Sequence, residues 1–183
     1  MYINRVGGSN AGKTVIYRVT SGADDGTWYT WSGSKFFYTS SFNVGYSNPN
    51  YYCGWMRFLN INIPGAIILD ARLKVYQSDT DAAKINIYAN DAADAANPTN
   101  YDTAEAKTKT TAYVGWTLPG AAGWATSPNL KDVFQELIDS YTYSGSTDIM
   151  LLLRGLNDVS AVASMNTYDT DPTYGAYLEI TYR

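Results

Sequence analysis

Gly54 to Tyr76, GWMRFLNINIPGAIILDARLKVY, holds two strand-like runs joined by a turn. In the first, Trp55, Arg57, Leu59, Ile61 and Ile63 alternate with Gly54, Met56, Phe58, Asn60 and Asn62, a period of two that a helix does not produce. In the second, Ile67, Leu69, Leu73 and Val75 fall among Asp70, Arg72, Lys74 and Tyr76, and Pro64-Gly65 between the runs supplies the turn. Two strands of this length need a second layer to bury their apolar faces.

The flanking sequence supplies that layer. Residues 1–12 are Gly- and Ser-rich and read as an extended arm, and residues 13–183 as one domain. A strand is expected at 13–20, a turn at Ser21 to Gly26, and an aromatic hairpin or broad loop over TWYTWSGSKFFY around Ser32-Gly33-Ser34. A short strand at 42–46 leads to the turn at Ser47 to Asn50. Further strands are expected at 84–89, about 106–116, 148–154, 161–168 and 176–182, with loops at 90–101 and 118–125. One helix stands out, with Ser127 as N-cap, Pro128 at its first position, and Leu130, Val133, Phe134, Leu137 and Ile138 on one face. The expectation is an all-β, two-sheet antiparallel jelly-roll β-sandwich with one short α-helix at about 128–139.

Composition agrees: 45% hydrophobic and 16% charged residues exclude a disordered chain, and 17 Tyr with 15 Gly suit strands joined by tight turns. The net charge of -4 offers no basic footprint, so nucleic acid is not an expected partner. No window approaches eighteen apolar residues and the amino terminus lacks an apolar signal region, so neither membrane insertion nor a signal peptide is expected. Cys53, the one cysteine, is expected to be a buried inert thiol.

Gly7 to Thr14, GGSNAGKT, fits the phosphate-loop pattern, and Ala66 to Asp70, AIILD, imitates the strand that would hold magnesium. That chemistry needs a helix after the loop, whereas TVIYRVT is β-branched and alternating, so no nucleotide site is expected. The absence of histidine removes Ser-His-Asp and Cys-His catalysis. Paired carboxylates acting as a glycan hydrolase or lyase need two acids about 5 to 10 Å apart across a cleft. No pair among Glu105, Glu136, Glu179 and the aspartates stands out, and no catalytic residue is expected.

Aspartates in turns, namely Asp24-Asp25, Asp79 with Asp81, Asp91 with Asp94 and Asp169 with Asp171, are first of all turn formers. Asp24 and Asp25 are the candidate ligands should a structural calcium ion be bound, and no other cofactor is expected. Aromatic residues near loops are the better signal, because a flat ring covers the apolar face of a sugar while neighbouring polar groups read its hydroxyls. Trp28, Tyr29, Trp31, Tyr51, Tyr52 and Trp124 are the candidate binding residues for carbohydrate or a protein partner, whereas Trp55 is expected to be structural.

With these elements placed, the chain resembles the DNRLRE-type or disaggregatase-related jelly-roll domains, which include some carbohydrate-binding modules. The resemblance is carried by SGADDG at 21–26, VGYSNPNYYCGWMRFLNINIPGAIILDARLKVY at 44–76, SPNLKDVFQELID at 127–139 and DPTYGAYLEITY at 171–182, and spans Lys13 to Arg183. It departs at Trp55-Met56-Arg57 with Leu59-Asn60, where members commonly carry a basic residue and Phe-Asp. Similar domains occur in secreted surface proteins and phage virion proteins. The resemblance implies a non-catalytic structural or adhesion protein at a virion surface or outside the cell, such as a capsid decoration, head fibre or tail fibre protein, assembled as a homo-oligomer or with a coat protein. The alternative is a carbohydrate-binding module that takes a surface glycan.

Overall fold

The structure, a computed structural model, describes residues 12–183. The expected arm, apart from Gly12, and with it Gly7 to Ala11 of GGSNAGKT therefore lie outside the described residues. In chain order the elements are β1 Lys13–Arg18, β2 Asp25–Trp31, β3 Ser34–Tyr38, β4 Phe42–Ser47, β5 Asn50–Asn62, β6 Ile68–Gln77, β7 Lys84–Ala89, α1 Tyr101–Glu105, β8 Val114–Thr117, β9 Gly123–Thr126, α2 Lys131–Ser140, β10 Ser144–Gly155, β11 Ala161–Met165 and β12 Tyr177–Tyr182.

Two four-stranded antiparallel layers carry the fold, ordered β1-β12-β6-β9 and β5-β10-β7-β8. This is the strand order of a jelly roll. The β2–β3 hairpin widens the second layer beyond β5. The β4–β11 ribbon joins the layers, since β11 meets β6 at Met165 and Gln77 while β4 pairs with β5. Lys13 and Thr14 start β1, so a strand follows the Gly-Lys-Thr sequence, and Asp70 of AIILD pairs with Arg72.

The main core lies between the layers. Met56 and Phe58 of β5, Leu73 and Val75 of β6, Ile85 and Ile87 of β7, and Leu151 and Leu153 of β10 are essentially inaccessible there. Both central strands change face midway, which the simple alternation does not anticipate. In β5, Phe58 pairs with Ile149 but Ile61 pairs with Thr147, so one extra residue bulges out. Asn60 sits in the bulge at φ 55°, and its N–H, displaced from the ladder, is caught by Asp148 Oδ1 at 2.9 Å. Met56 and Phe58 thereby share the core with Ile61 and Ile63, whereas Trp55 and Arg57 face the other way. In β6, Asp70 pairs with Thr181 and Ile68 with Tyr182, which makes Leu69 the extra residue. Ile68 turns inward and Ile67 is 53% exposed.

Helix α2 buries Val133, Phe134, Leu137 and Ile138, with Leu130 just ahead of it, as its periodicity predicts. Its start differs. Ser127 is not the cap: its hydroxyl accepts from Leu73 N and donates to Pro128 O, which fastens the lead-in to β6. Asn129 accepts the N–H of both Ala71 and Lys131 and sets the helix origin at Lys131. A second helix, α1, lies at the end of the expected 90–101 loop, where the Asn100 and Thr103 side chains each accept the other's backbone N–H. The expected strand over 106–116 shrinks to β8 because Glu136 of α2 accepts the N–H groups of Thr111 and Ala112. The strand β9 occupies part of the expected 118–125 loop.

A second apolar cluster covers the outer face of β5 and β10: Trp28, Cys53, Trp55, Met150 and Leu152 lie beneath Ala95 and Ala104 of the 90–105 segment. Cys53 is buried and burial pushes its thiol up to about 11, which keeps it protonated. Gly26 is required by this packing, because a Cβ there would run into the Trp55 ring and the Tyr38 carbonyl. None of the described helices is long and apolar enough to cross a membrane.

Candidate functional site

The β2–β3 hairpin turns through Ser32 and Gly33, both at positive φ (49° and 81°), the two-residue geometry that matches strand twist. Its register sets Tyr29 opposite Phe36 on one side and opposite Tyr52 of β5 on the other. These side chains form a stack with Tyr52 to Tyr29 at 4.4 Å, Tyr29 to Phe36 at 5.0 Å and Tyr29 to Tyr38 at 6.2 Å between ring centroids. The planes lie within 14° to 27° of parallel. Within the stack each ring faces its neighbour. Among the described residues β3 pairs only with β2, so no further strand covers the outer faces of Phe36 and Tyr38. Tyr38 is 41% exposed, and Trp31 at the hairpin tip 46%.

Burial, followed by the adjacent Tyr38, raises the Tyr29 phenol, and burial raises that of Tyr52, so both remain neutral donors near pH 7. Beside the stack, a groove of about 630 Å³ runs between the β2–β3 tip and the β4–β5 tip, lined by Trp31, Ser32, Asn48 and Asn50. Asn48 Oδ1 accepts from Tyr46 at 3.0 Å, which steadies the second tip. An exposed indole, open ring faces and side-chain amides therefore meet at one end of the molecule.

The six candidate aromatics do not converge. Tyr29, Trp31 and Tyr52 belong to this end. Trp28 points to the opposite face of β2 and is 1% exposed, so its ring packs in the core and is not a member of this stack. Its indole Nε1 donates to Glu105 Oε2 at 2.8 Å. Tyr51 is exposed on that same outer face, 5.0 Å from Tyr46. Trp124 sits on β9 of the other layer, edge-on to Tyr76 and Tyr177 and near Tyr174.

Asp24 and Asp25 are both buried. Asp24 already faces a cation: Arg57 Nε donates to its Oδ1 at 2.8 Å, and Asn97 Nδ2 donates to the same oxygen at 3.0 Å. Asp25 Oδ2 accepts from Tyr168 N, while its Oδ1 is buried without a hydrogen-bond partner. The two carboxylates thus serve different partners, and the described residues contain no group of three or more His, Cys, Asp or Glu placed to hold a metal ion. Other turn aspartates bind backbone N–H groups, as with Asp79 to Asp81 and Asp171 to Thr173. The three glutamates are separately engaged, Glu105 by Arg154, Glu136 by Thr111 and Ala112, and Glu179 by Lys74.

Phe36 and Tyr38 are the stack members that sequence reasoning left out of the candidate set. The signal was present, since a hairpin folded about Ser32-Gly33 sets Tyr29 across from Phe36. Tyr101, Glu105 and Arg154, which meet on the outer face, carried no such signal, because their contacts span some fifty residues of chain or more.

No family model and no curated protein matches the chain. Among solved structures, the chain is similar to an isomalto-dextranase from Arthrobacter globiformis T6 complexed with panose, at 11% identity and a TM-score of 0.36. The match covers 91% of this chain and 23% of that one, so the chain spans under a quarter of that protein's length. It is also similar to a family 35 carbohydrate-binding module from Clostridium thermocellum, at 11% identity and a TM-score of 0.34, with 92% and 97% of the two chains covered. At this similarity, function has to be argued from the chain's own residues.

Proposed function

We propose that this protein is a non-catalytic carbohydrate-binding β-sandwich that takes a glycan at the open end of the Tyr52, Tyr29, Phe36 and Tyr38 stack. The carrying observation is that the stack ends at a sheet edge. A pyranose laid against Phe36 and Tyr38 becomes its next member, with its C–H face on the rings and its hydroxyls toward water and phenols. Trp31 extends the apolar surface toward the groove, where Asn48 and Asn50 supply amide donors and acceptors. Surface display on a virion or on a secreted protein is the expected setting, and adhesion through this end fits either one.

A glycan array followed by affinity electrophoresis against soluble polysaccharides tests the proposal. Wild-type protein is retarded by at least one polysaccharide, and Trp31→Ala and Tyr38→Ala are each retarded markedly less. An array without hits, or variants retarded as strongly as wild type, would overturn it.

A further inference from the structure

On the opposite face of the same hairpin lies a cavity of about 150 Å³ whose lining includes Trp28, Tyr29, Tyr51, Tyr101, Glu105 and Arg154. Its charged wall is preassembled. Arg154 donates through both terminal nitrogens to the Glu105 carboxylate, at 2.6 and 2.9 Å, and Trp28 Nε1 fixes the same carboxylate from below. Burial opposes ionisation of Glu105, but the bonds from Arg154 and Trp28 outweigh it and hold the acid below its usual range. Helix α1 carries Tyr101 and Glu105 and is fixed by its capping box and by the Lys35–Asp102 ion pair.

We infer that this cavity is a second saccharide subsite, one that takes a single neutral sugar ring through a vicinal diol. This deepens the carbohydrate function proposed above and rests on it for the ligand class. Three observations carry it. First, the ion pair is charge-neutral and displays carboxylate acceptors beside guanidinium donors; two of the five Arg154 N–H donors engage Glu105, and no other side-chain hydrogen bond of Arg154 occurs among the described residues. Two adjacent hydroxyls, one donating and one accepting, match that display, whereas a free carboxylate would bring a second negative charge against Glu105. Second, Tyr51 at the rim is 44% exposed and offers a ring on which an apolar sugar face can lie. Third, the volume equals about five waters, which suits one ring and not a chain.

The stack and the cavity lie on opposite faces of β2, so a branched glycan or a chain end could engage both sides of the hairpin. The test is by NMR, with the Trp28 indole N–H and the Arg154 Nε–H as reporters. The probes are methyl glycosides of glucose, galactose, mannose and xylose, with sodium acetate as a carboxylate control. At least one glycoside should move both reporters while acetate moves neither, and Tyr51→Ala should weaken that binding about tenfold without changing the unliganded spectrum beyond the cavity. Glu105→Gln, which keeps the shape and removes the charge, should abolish it. The subsite is overturned if no glycoside moves the reporters at its highest soluble concentration, if acetate alone moves them, or if Tyr51→Ala binds as wild type does. Failure of the stack is read separately: Trp31→Ala and Tyr38→Ala would leave polysaccharide binding intact while the Trp28 reporter still responds.

Discussion

Tyr29 and Tyr52 stack 4.4 Å apart across β2 and β5, and this contact anchors a row of rings whose free end is Phe36 and Tyr38 on the edge strand β3. Position in the row determines what a truncation does. Tyr38→Ala removes an outer face and should weaken polysaccharide binding about tenfold, near 1.4 kcal/mol, while changing stability by less than about 1 kcal/mol. Tyr29→Ala, in the middle, should reduce both binding and stability. Affinity electrophoresis and urea denaturation on the same two variants separate these outcomes, and equal loss of stability in both would refute the order of the row.

Arg57 is held on the outer face of β5 by two acids, Asp24 at 2.8 Å and Asp148 at 3.5 Å. Asp24 is buried, so removing the guanidinium leaves its charge with Asn97 and no cation. Arg57→Ala should destabilise the protein by about 3 kcal/mol, as truncation of one partner of a buried pair does. A shift in the urea midpoint equivalent to less than about 1 kcal/mol would show that water reaches Asp24 in solution.

Asp25 makes stability depend on pH in the opposite sense to an ordinary paired carboxylate. Burial raises its pKa from 3.8 to about 7 against the N–H bond from Tyr168, with further upward pressure from Asp169 and Asp24. A raised folded-state value means the protonated form is favoured on folding. The contribution is full below about pH 4 and is lost as pH rises through about 7. Stability should fall by roughly 2 kcal/mol from about pH 5 to pH 8, and Asp25→Asn should flatten that slope. Thermal melts of the two proteins across this range check it. A slope that survives in Asp25→Asn would assign the effect to another group.

Where the sequence was legible, a short-range signal coincided with the final packing. The alternation in β5 and β6 revealed the sheet, and the spacing of Leu130, Val133, Phe134, Leu137 and Ile138 revealed α2, because both patterns reflect burial against a single neighbour. The facing of the strands was not legible. Asn60 and Leu69 each add one residue to a ladder, and a period-two pattern read through a bulge assigns half the strand to the wrong face. Ser127-Pro128 carried a sound start signal for a helix, yet the Ser127 hydroxyl found a partner in β6. The candidate site was half legible: Tyr29, Trp31 and Tyr52 were found by their aromatic density, but Trp28 carries the same signal and is buried. Alternation along β2 is what separates them, since Trp28 shares its face with Cys53 and Trp55 while Tyr29 and Trp31 share the other.

The bulge at Asn60 yields the sharpest test of how the central strand keeps its two faces apart. Asn60 adopts φ 55°, a region where asparagine and glycine are tolerated and β-branched residues are strained, and its N–H depends on the Asp148 carboxylate. Asn60→Gly should therefore leave stability within about 0.5 kcal/mol of wild type, whereas Asn60→Val should lower it by about 1 to 2 kcal/mol. Asp148→Ala removes the acceptor for the bulge and one of the two acids around Arg57, so it should cost more than Asn60→Val. The phase shift itself is set by packing: Met56 and Phe58 on one side of Asn60 and Ile61 and Ile63 on the other all lie in the same core. Deleting Asn60 would turn one pair outward and should prevent folding, as read by loss of near-ultraviolet circular dichroism. A folded deletion variant would mean that β5 slips in register and that the bulge is not what fixes its faces.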